Sequence, residues 1–202
     1  MSKKNLLSYF IFPFFGFISS NQFPIKENTK WVISQNSNLI VTGSTNLNHF
    51  SCSILSYPQT DTITLYKANL LKELPLSGRI NLKVADFVCN NKLMTNELRK
   101  TLKLERYPYL QINFITLNQF TDLNSKPFPI KGRVDIEIAG VKKRYEVNYK
   151  LHIDEEKIIH LVGYRDVNFS DFKLRPPKKL GKLLQAKDKL TVAFHLQMNS
   201  VL

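Results

Sequence analysis

Apolar and polar residues alternate strictly in five segments of the chain, at the period of a β-strand with one buried face. These segments are residues 79–84, 110–114, 134–138, 145–153 and 190–198. Four shorter segments are β-branched or aromatic and are bounded by polar turns; they are residues 39–45, 51–55, 62–66 and 157–166. The pattern therefore predicts about eight or nine strands.

Each strong strand has one apolar and one polar face, which both a two-layer sandwich and a closed barrel require. Two long segments meet at Ala139 and Gly140, and this long up-and-down hairpin favours the barrel. One helix is predicted at residues 94–103, with Thr95 as its N-cap and with Leu98 and Leu102 four residues apart. We therefore predict a single all-β domain, a closed antiparallel barrel with an apolar interior.

Residues 171–189 form a basic segment with two acids, Asp171 and Asp188. Pro176 and Pro177 exclude a strand interior at their positions. Its seven basic residues are Lys173, Arg175, Lys178, Lys179, Lys182, Lys187 and Lys189. The segment is either a solvated loop or an ordered crossover whose apolar residues cover one end of the barrel. Those residues are Phe172, Leu174, Leu180, Leu183 and Leu184.

The first twenty residues have the pattern of a secretory signal. Lys3 and Lys4 precede an uncharged apolar run from 6 to 18, and Ile18 and Ser20 suit a cleavage site. The alternative is a membrane anchor, but a span needs about 20 apolar residues and this run is shorter. We predict a signal peptide at residues 1–20, a barrel domain at residues 21–202, and an exported protein, periplasmic or secreted.

The net charge of the whole chain is +13, and removal of the signal lowers it by two. Such a surplus favours anionic partners, whereas the alternative is a charged surface that serves solubility. Nucleic acid is not the expected partner, because the basic residues do not interleave with aromatic residues in any known module. A peripheral contact with an anionic membrane surface stays open, as does the oligomeric state.

The chain contains two cysteines, Cys52 and Cys89. In an oxidising compartment an isolated pair predicts a disulfide, whereas in the cytosol the two would be small buried hydrophobic residues.

Residues for catalysis or metal binding do not form a recognisable set. The four histidines, His49, His152, His160 and His195, are scattered along the chain without metal-ligand spacing. His152 lies on the polar face of its strand, so we expect it to be exposed. There is no nucleophile elbow, phosphate-binding glycine loop or C-x-x-C motif. We predict no catalytic residues, no metal and a binding protein rather than an enzyme.

A specific resemblance extends over nearly the whole mature chain. Trp31 is followed by residues 37–46, SNLIVTGSTN, and by Phe50-Ser51-Cys52. Further matching stretches are 86–91 (DFVCNN), 94–95 (MT), 98–103 (LRKTLK), 107–110 (YPYL), Phe114, Gly132, Ile136, 140–141, Gly163, 171–172, 176–177 and 180–181. In this order and spacing the sequence resembles the YceI-like family, and within it the cysteine-containing branch of exported Bacteroidetes-type proteins.

This resemblance implies a lipocalin-like barrel of eight antiparallel strands with one or two short helices. It also implies an isoprenoid or other amphiphile of polyprenyl or quinone type, carried in the interior without any other cofactor. The alternative is a structural or interaction module of the cell envelope whose barrel is filled. A third hypothesis is an enzyme acting on an enclosed lipid through two converging polar groups, such as Tyr149 and Arg165. The head group is expected near Arg133, Arg144 or Arg165. The expected ligand-binding residues are Leu82, Val84, Phe87, Leu110, Ile112, Phe114, Ile136, Tyr149, Leu151, Val192, Phe194 and Leu196.

Overall fold

The computed structural model describes residues 28–66, 72–118, 123–179 and 184–201, so the predicted signal peptide lies outside it. The strands are β1 (Asn28–Ile33), β2 (Asn38–Thr45), β3 (His49–Ile54), β4 (Thr62–Tyr66), β5 (Glu73–Lys83), β6 (Val88–Cys89), β7 (Tyr109–Asn118), β8 (Phe128–Ile138), β9 (Val141–Ile153), β10 (Ile159–Asn168), β11 (Lys178–Lys179) and β12 (Leu184–Val201). Helix α1 spans Lys92–Thr101, and 3-10 turns span Val84–Asp86 and Phe169–Phe172. None of the described residues forms a helix with the length and apolar character that crossing a bilayer requires.

Eight antiparallel strands close into a barrel in the order β1-β4-β5-β7-β8-β9-β10-β12. Closure occurs because the C-terminal end of β12 pairs with β1, where Met198 lies opposite Ile33. The preceding part of β12 pairs instead with β2, where Val192 lies opposite Val41. Strands β2, β3 and β6 therefore extend from the barrel as a flap. The closed antiparallel barrel that the long hairpin favours and the family resemblance implies is confirmed.

The interior of the barrel has two unlike halves. The half beside β1 and β4 is solid core, and its largest side chains are at most 1% exposed: Trp31, Ile33, Ile63, Leu65, Leu117, Leu151, Ile159, Leu161 and Met198. In the other half several inward-facing apolar residues stay partly exposed, among them Ile112, Ile136, Val192 and Phe194. Space for a ligand is therefore restricted to the half bordered by the flap.

A disulfide holds the flap to the segment that leads into α1. Cys52 and Cys89 are opposite each other in the β3–β6 pairing and are bonded. The Cys89 N–H donates to Thr95 Oγ1 at 2.9 Å, and Arg99 donates to the Phe87 carbonyl at 2.9 Å. The predicted disulfide is confirmed, and it joins β3, β6 and α1 into one unit.

The helix begins two residues earlier than predicted, and its cap is Asn91 rather than Thr95. The side chain of Asn91 accepts from the Met94 N–H at 2.8 Å. Thr95 is buried inside the helix, and its hydroxyl donates to the Asn91 carbonyl. The prediction of Thr95 was wrong because an asparagine four residues earlier competes for the same role.

The basic segment is partly strand, since β12 begins at Leu184 and not at Leu190. Lysines on the exposed face of this extension conceal its alternation. Phe172 and Leu174 are 1% and 6% exposed and cover the end of the barrel near Tyr145, as the ordered-crossover interpretation expects. Residues 180 and 183 lie outside the described residues, and the side chain of residue 184 is not described.

Candidate functional site

An apolar cavity occupies the half of the barrel bordered by the flap. Its volume is about 50 Å³, so the cavity is small. Its surface is almost wholly apolar, and the polar side chains on it belong to Ser37, Asn38, Tyr57, Tyr149 and Arg165. The apolar lining residues are Leu39, Ile54, Ile80, Leu82, Ile112, Phe114, Val134, Ile136, Val147, Val167, Val192, Phe194 and Leu196.

Two aromatic rings form the floor of the cavity. Tyr149 and Phe194 meet edge to face, with ring centroids 5.5 Å apart. A Cβ at Gly163 would collide with the Phe194 ring, and one at Gly132 would press on Tyr149. The two glycines on β8 and β10 therefore make room for rings from the neighbouring strands β9 and β12. Burial raises the pKa of the Tyr149 hydroxyl, which stays neutral at physiological pH.

The backbone pairing between β9 and β10 ends before either strand does. Their pairing ends where Tyr164 lies opposite Asn148. Beyond that point β10 continues beside β12, whereas β9 continues beside β8, so the two strands diverge. Arg165 is the first residue of β10 past the last pair; it lines the cavity and is also exposed to solvent. We call this break in the pairing the lateral opening, and its cation is Arg165.

Tyr145 supports Arg165 at the opening. The guanidinium carbon of Arg165 lies 5.3 Å from the centroid of the Tyr145 ring, within the range of a cation–π contact. The Tyr145 hydroxyl donates to Asp171 Oδ2 at 3.0 Å. Burial and this carboxylate raise the pKa of Tyr145, so the hydroxyl remains a donor and the ring stays in place.

A second junction in the wall lies between β5 and the flap. Among the described residues, no strand pairs with the flap-side edge of β5 beyond Gly78. Tyr57 fills this position: its hydroxyl accepts from the Asn81 N–H at 3.2 Å and donates to the Asp61 carboxylate. Burial and Asp61 raise the pKa of Tyr57, so this bridge also persists at neutral pH.

The structure brings eight of the twelve expected ligand-binding residues to the cavity. They are Leu82, Ile112, Phe114, Ile136, Tyr149, Val192, Phe194 and Leu196. The other four are buried away from it. Leu151 belongs to the solid half, and Val84, Phe87 and Leu110 lie at or beyond the ends of their strands near the flap. Sequence reasoning missed Ile80, Val134 and Val147, although the same alternation contains them.

The structure also separates the three arginines considered for a head group. Arg133 is on the outer face and pairs with Glu73. Arg144 is likewise outside, where Asp135 accepts from it at 2.7 Å and 3.0 Å. Arg165 is the arginine that lines the cavity.

Three histidines that are distant in sequence meet on the outer face of β9, β10 and β12. The His160 ring stacks on His152 at 4.7 Å between centroids, and its Nδ1 lies 2.8 Å from His195 Nε2. Its Nε2 lies 2.9 Å from Asp154 Oδ2. The expectations that the histidines are scattered and that His152 is exposed were wrong, because strand register brings them together. In the described part of the chain, no group of His, Cys, Asp and Glu is arranged to hold a metal.

This cluster makes stability depend on pH. Burial, with repulsion from His160, lowers the pKa of both His152 and His195 below 6.5 in the folded state. As the pH drops, these histidines therefore bind protons in the unfolded chain before they do so in the folded protein. The free energy of unfolding falls as the pH drops below 6.5, and the fall ends once the pH is below the folded-state pKa values. We expect the thermal midpoint to decrease over this window. H152Q/H195Q should flatten the dependence and H49Q should not; equal slopes for all three proteins would contradict the assignment.

No family model and no curated protein matches the sequence. Among solved structures, a polyisoprenoid-binding domain from Saccharophagus degradans, implicated in plant cell wall breakdown, aligns at a TM-score of 0.59 and 8% identity. The alignment covers 87% of this chain and all of that chain. BcnA of Burkholderia cenocepacia aligns at 0.57 and 13% identity, over 80% of this chain and 95% of that one. These likenesses confirm the barrel fold implied by the resemblance to the YceI-like family.

Proposed function

We propose that the chain is an exported lipid-binding protein that sequesters or carries an isoprenoid-like amphiphile, of polyprenyl or quinone type, inside its barrel. The observation that carries this proposal is the apolar cavity with a lateral opening at Arg165. The fold likeness to the polyisoprenoid-binding domain of Saccharophagus degradans supports the ligand class.

The energetics of an apolar chain suit such a site. Burial of about ten methylenes contributes roughly 8 kcal/mol before the costs of association, so few polar contacts are needed. A cavity of about 50 Å³ is narrow for such a chain. Entry therefore requires side chains to move, and the partly exposed Ile112, Ile136, Val192 and Phe194 are the ones with room to do so.

Arg165 is positioned to bind a polar or anionic head group while the chain lies inside. Its guanidinium offers several donors, and no acidic side chain pairs with it among the salt bridges of the described residues. A head group bound to Arg165 would lie at the solvent boundary, where desolvation costs little.

Native mass spectrometry of the purified protein, titrated with a polyprenyl phosphate, tests both parts of the proposal. We expect a one-to-one mass shift for the wild type. R165Q should weaken binding about tenfold, because a hydrogen bond to a charged group contributes about 1.5–3 kcal/mol. R144Q, which removes an arginine held by Asp135 on the outer face, should bind as the wild type does.

The unphosphorylated polyprenol separates the contributions of chain and head group. Equal weakening of polyprenol and polyprenyl phosphate by R165Q would contradict the role of Arg165 while leaving chain binding intact. Absence of a mass shift with polyprenol, polyprenyl phosphate and a long-chain quinone would contradict the proposed function itself.

The second candidate is a structural or interaction module of the cell envelope with a filled barrel. The specific observation in its favour is the solid half of the interior together with the small volume of the cavity. This candidate predicts that the protein stays ligand-free in every titration and that a partner protein is captured with it from the cell envelope.

A further inference from the structure

Two exposed leucines and three lysines meet at the end of the barrel where the flap joins β12. Leu47, at the turn between β2 and β3, is 76% exposed, and Leu93, in the first turn of α1, is 55% exposed. Lys92, Lys178 and Lys187 around them are also exposed. We call these five residues the basic tip.

Contacts between the elements that carry these residues connect them at this end of the barrel. Thr45 and Leu93 border the same surface pocket as Pro177 and Ala186. The Asn46 N–H donates to the Gln185 carbonyl at 3.1 Å, and Gln185 donates back to Asn46 Oδ1 at 3.0 Å. Lys178 lies opposite Gln185 in the β11–β12 pairing. The turn that contains Leu47 is thus hydrogen-bonded to the strand that contains Lys187.

The leucines are held outward by structured backbone. Thr45 Oγ1 accepts from the N–H groups of Leu47 and Asn48 at 3.1 Å and 2.9 Å. Asn91 caps the helix turn that carries Leu93. An exposed leucine in a rigid turn loses little conformational entropy when it enters an apolar phase.

The acidic groups around the basic tip are few or engaged elsewhere in the described structure. Asp188 accepts from the Ser170 N–H and hydroxyl, and Asp166 pairs with Lys189. Glu97 is the acid that borders the same pocket as Leu93. The surface therefore combines protruding leucines with a surplus of lysines, the combination that suits an anionic bilayer interface.

We propose that the basic tip docks the protein on anionic phospholipid bilayers. Lysines bind the head groups, and Leu47 and Leu93 insert between them. This proposal rests on the proposed function, since a carrier must exchange its lipid with a membrane. The lateral opening at Arg165 is at the same end of the barrel, because the C-terminal end of β10 and the N-terminal part of β12 are antiparallel neighbours. Docking there would bring the cavity entrance close to the bilayer.

Sedimentation of the full chain with vesicles tests this docking. We expect binding to vesicles of phosphatidylcholine and phosphatidylglycerol in equal parts, weak binding to phosphatidylcholine alone, and release by salt. L47S/L93S should weaken binding at least about tenfold, because each buried methylene contributes about 0.8 kcal/mol. K178E/K187E should weaken it comparably.

Two control variants match these changes in residue type and charge at other places. L55S/V201S replaces residues of similar exposure (76% and 47%) away from the basic tip. K126E/K150E changes the net charge by the same amount on exposed residues of other loops and strands. Both should bind vesicles as the wild type does.

The outcomes separate docking from lipid carriage. If K126E/K150E and K178E/K187E lose vesicle binding equally, net charge alone attracts the protein to the vesicles. This result would overturn the proposal that the basic tip is the docking surface. Absence of binding to anionic vesicles by a protein that still binds polyprenyl phosphate would overturn docking and leave the proposed function standing. A protein that binds anionic vesicles but binds no polyprenyl ligand would support docking and contradict the proposed function.

Discussion

Removal of the disulfide by C52A/C89A lowers the free energy of unfolding by about 4 kcal/mol. The bond joins residues 37 apart in sequence, and a loop of that length accounts for roughly this amount in the chain-entropy model. Alanine suits both sites because Cys52 and Cys89 are 1% and 8% exposed. Urea unfolding followed by far-ultraviolet circular dichroism measures the change.

Two comparisons make this result specific. Reducing agent should shift the wild-type midpoint toward that of C52A/C89A and should leave the double variant unaffected. The single tryptophan, Trp31, is buried in the solid half of the barrel, whereas the bond lies in the flap. If its fluorescence and the circular dichroism change together, the flap and barrel unfold as one unit. A wild-type midpoint insensitive to reduction would contradict the predicted stabilisation.

Filling the cavity with V192F weakens polyprenyl phosphate binding more than about tenfold. Val192 is inward-facing and partly exposed in the cavity, next to Val41 and opposite Arg165. A phenyl ring there occupies space that the ligand chain needs. Exclusion of only two methylenes costs about 1.6 kcal/mol, which is already more than tenfold in affinity. Native mass spectrometry titration gives the ratio directly.

The matched control is V162F, on the neighbouring strand. Val162 faces outward and is 37% exposed, so the same substitution there leaves the cavity unchanged. V162F should bind as the wild type does. Thermal unfolding of both variants shows whether they fold, and we expect V192F to be little changed, since the ring enters existing space. Wild-type affinity in a folded V192F protein would place the ligand outside this cavity.

Much of the fold could be predicted from local pattern. Alternation in residues 134–138 and 145–153 places strands and their inward faces, because a period of two is a property of the extended backbone. Ala139 and Gly140 both have positive φ, as the two-residue turn between β8 and β9 requires. Strand ends were harder to predict. Strand β5 begins at Glu73 and β12 at Leu184, where exposed charges or prolines interrupt the alternation.

The candidate site was predictable in part for the same reason. Inward positions such as Ile112, Ile136 and Val192 follow from alternation and do line the cavity. Leu151 follows the same rule but lies in the solid half. Alternation specifies which side of the sheet a residue faces; the height of that residue along the barrel depends on how the strands are staggered.

The sequence by itself determined a set of β-strands with one apolar and one polar face, because alternation is local and needs no partner. Tertiary structure decided what depends on the pairing between distant strands. Arg165 lies on the same inward face of β10 as the buried Leu161 and Val167. It reaches solvent at the lateral opening because β10 is no longer paired with β9 at that position. Register brought His152, His160 and His195 together. The interior is solid core beside β1, where β12 closes the barrel, and it keeps a small cavity in the half beside β2.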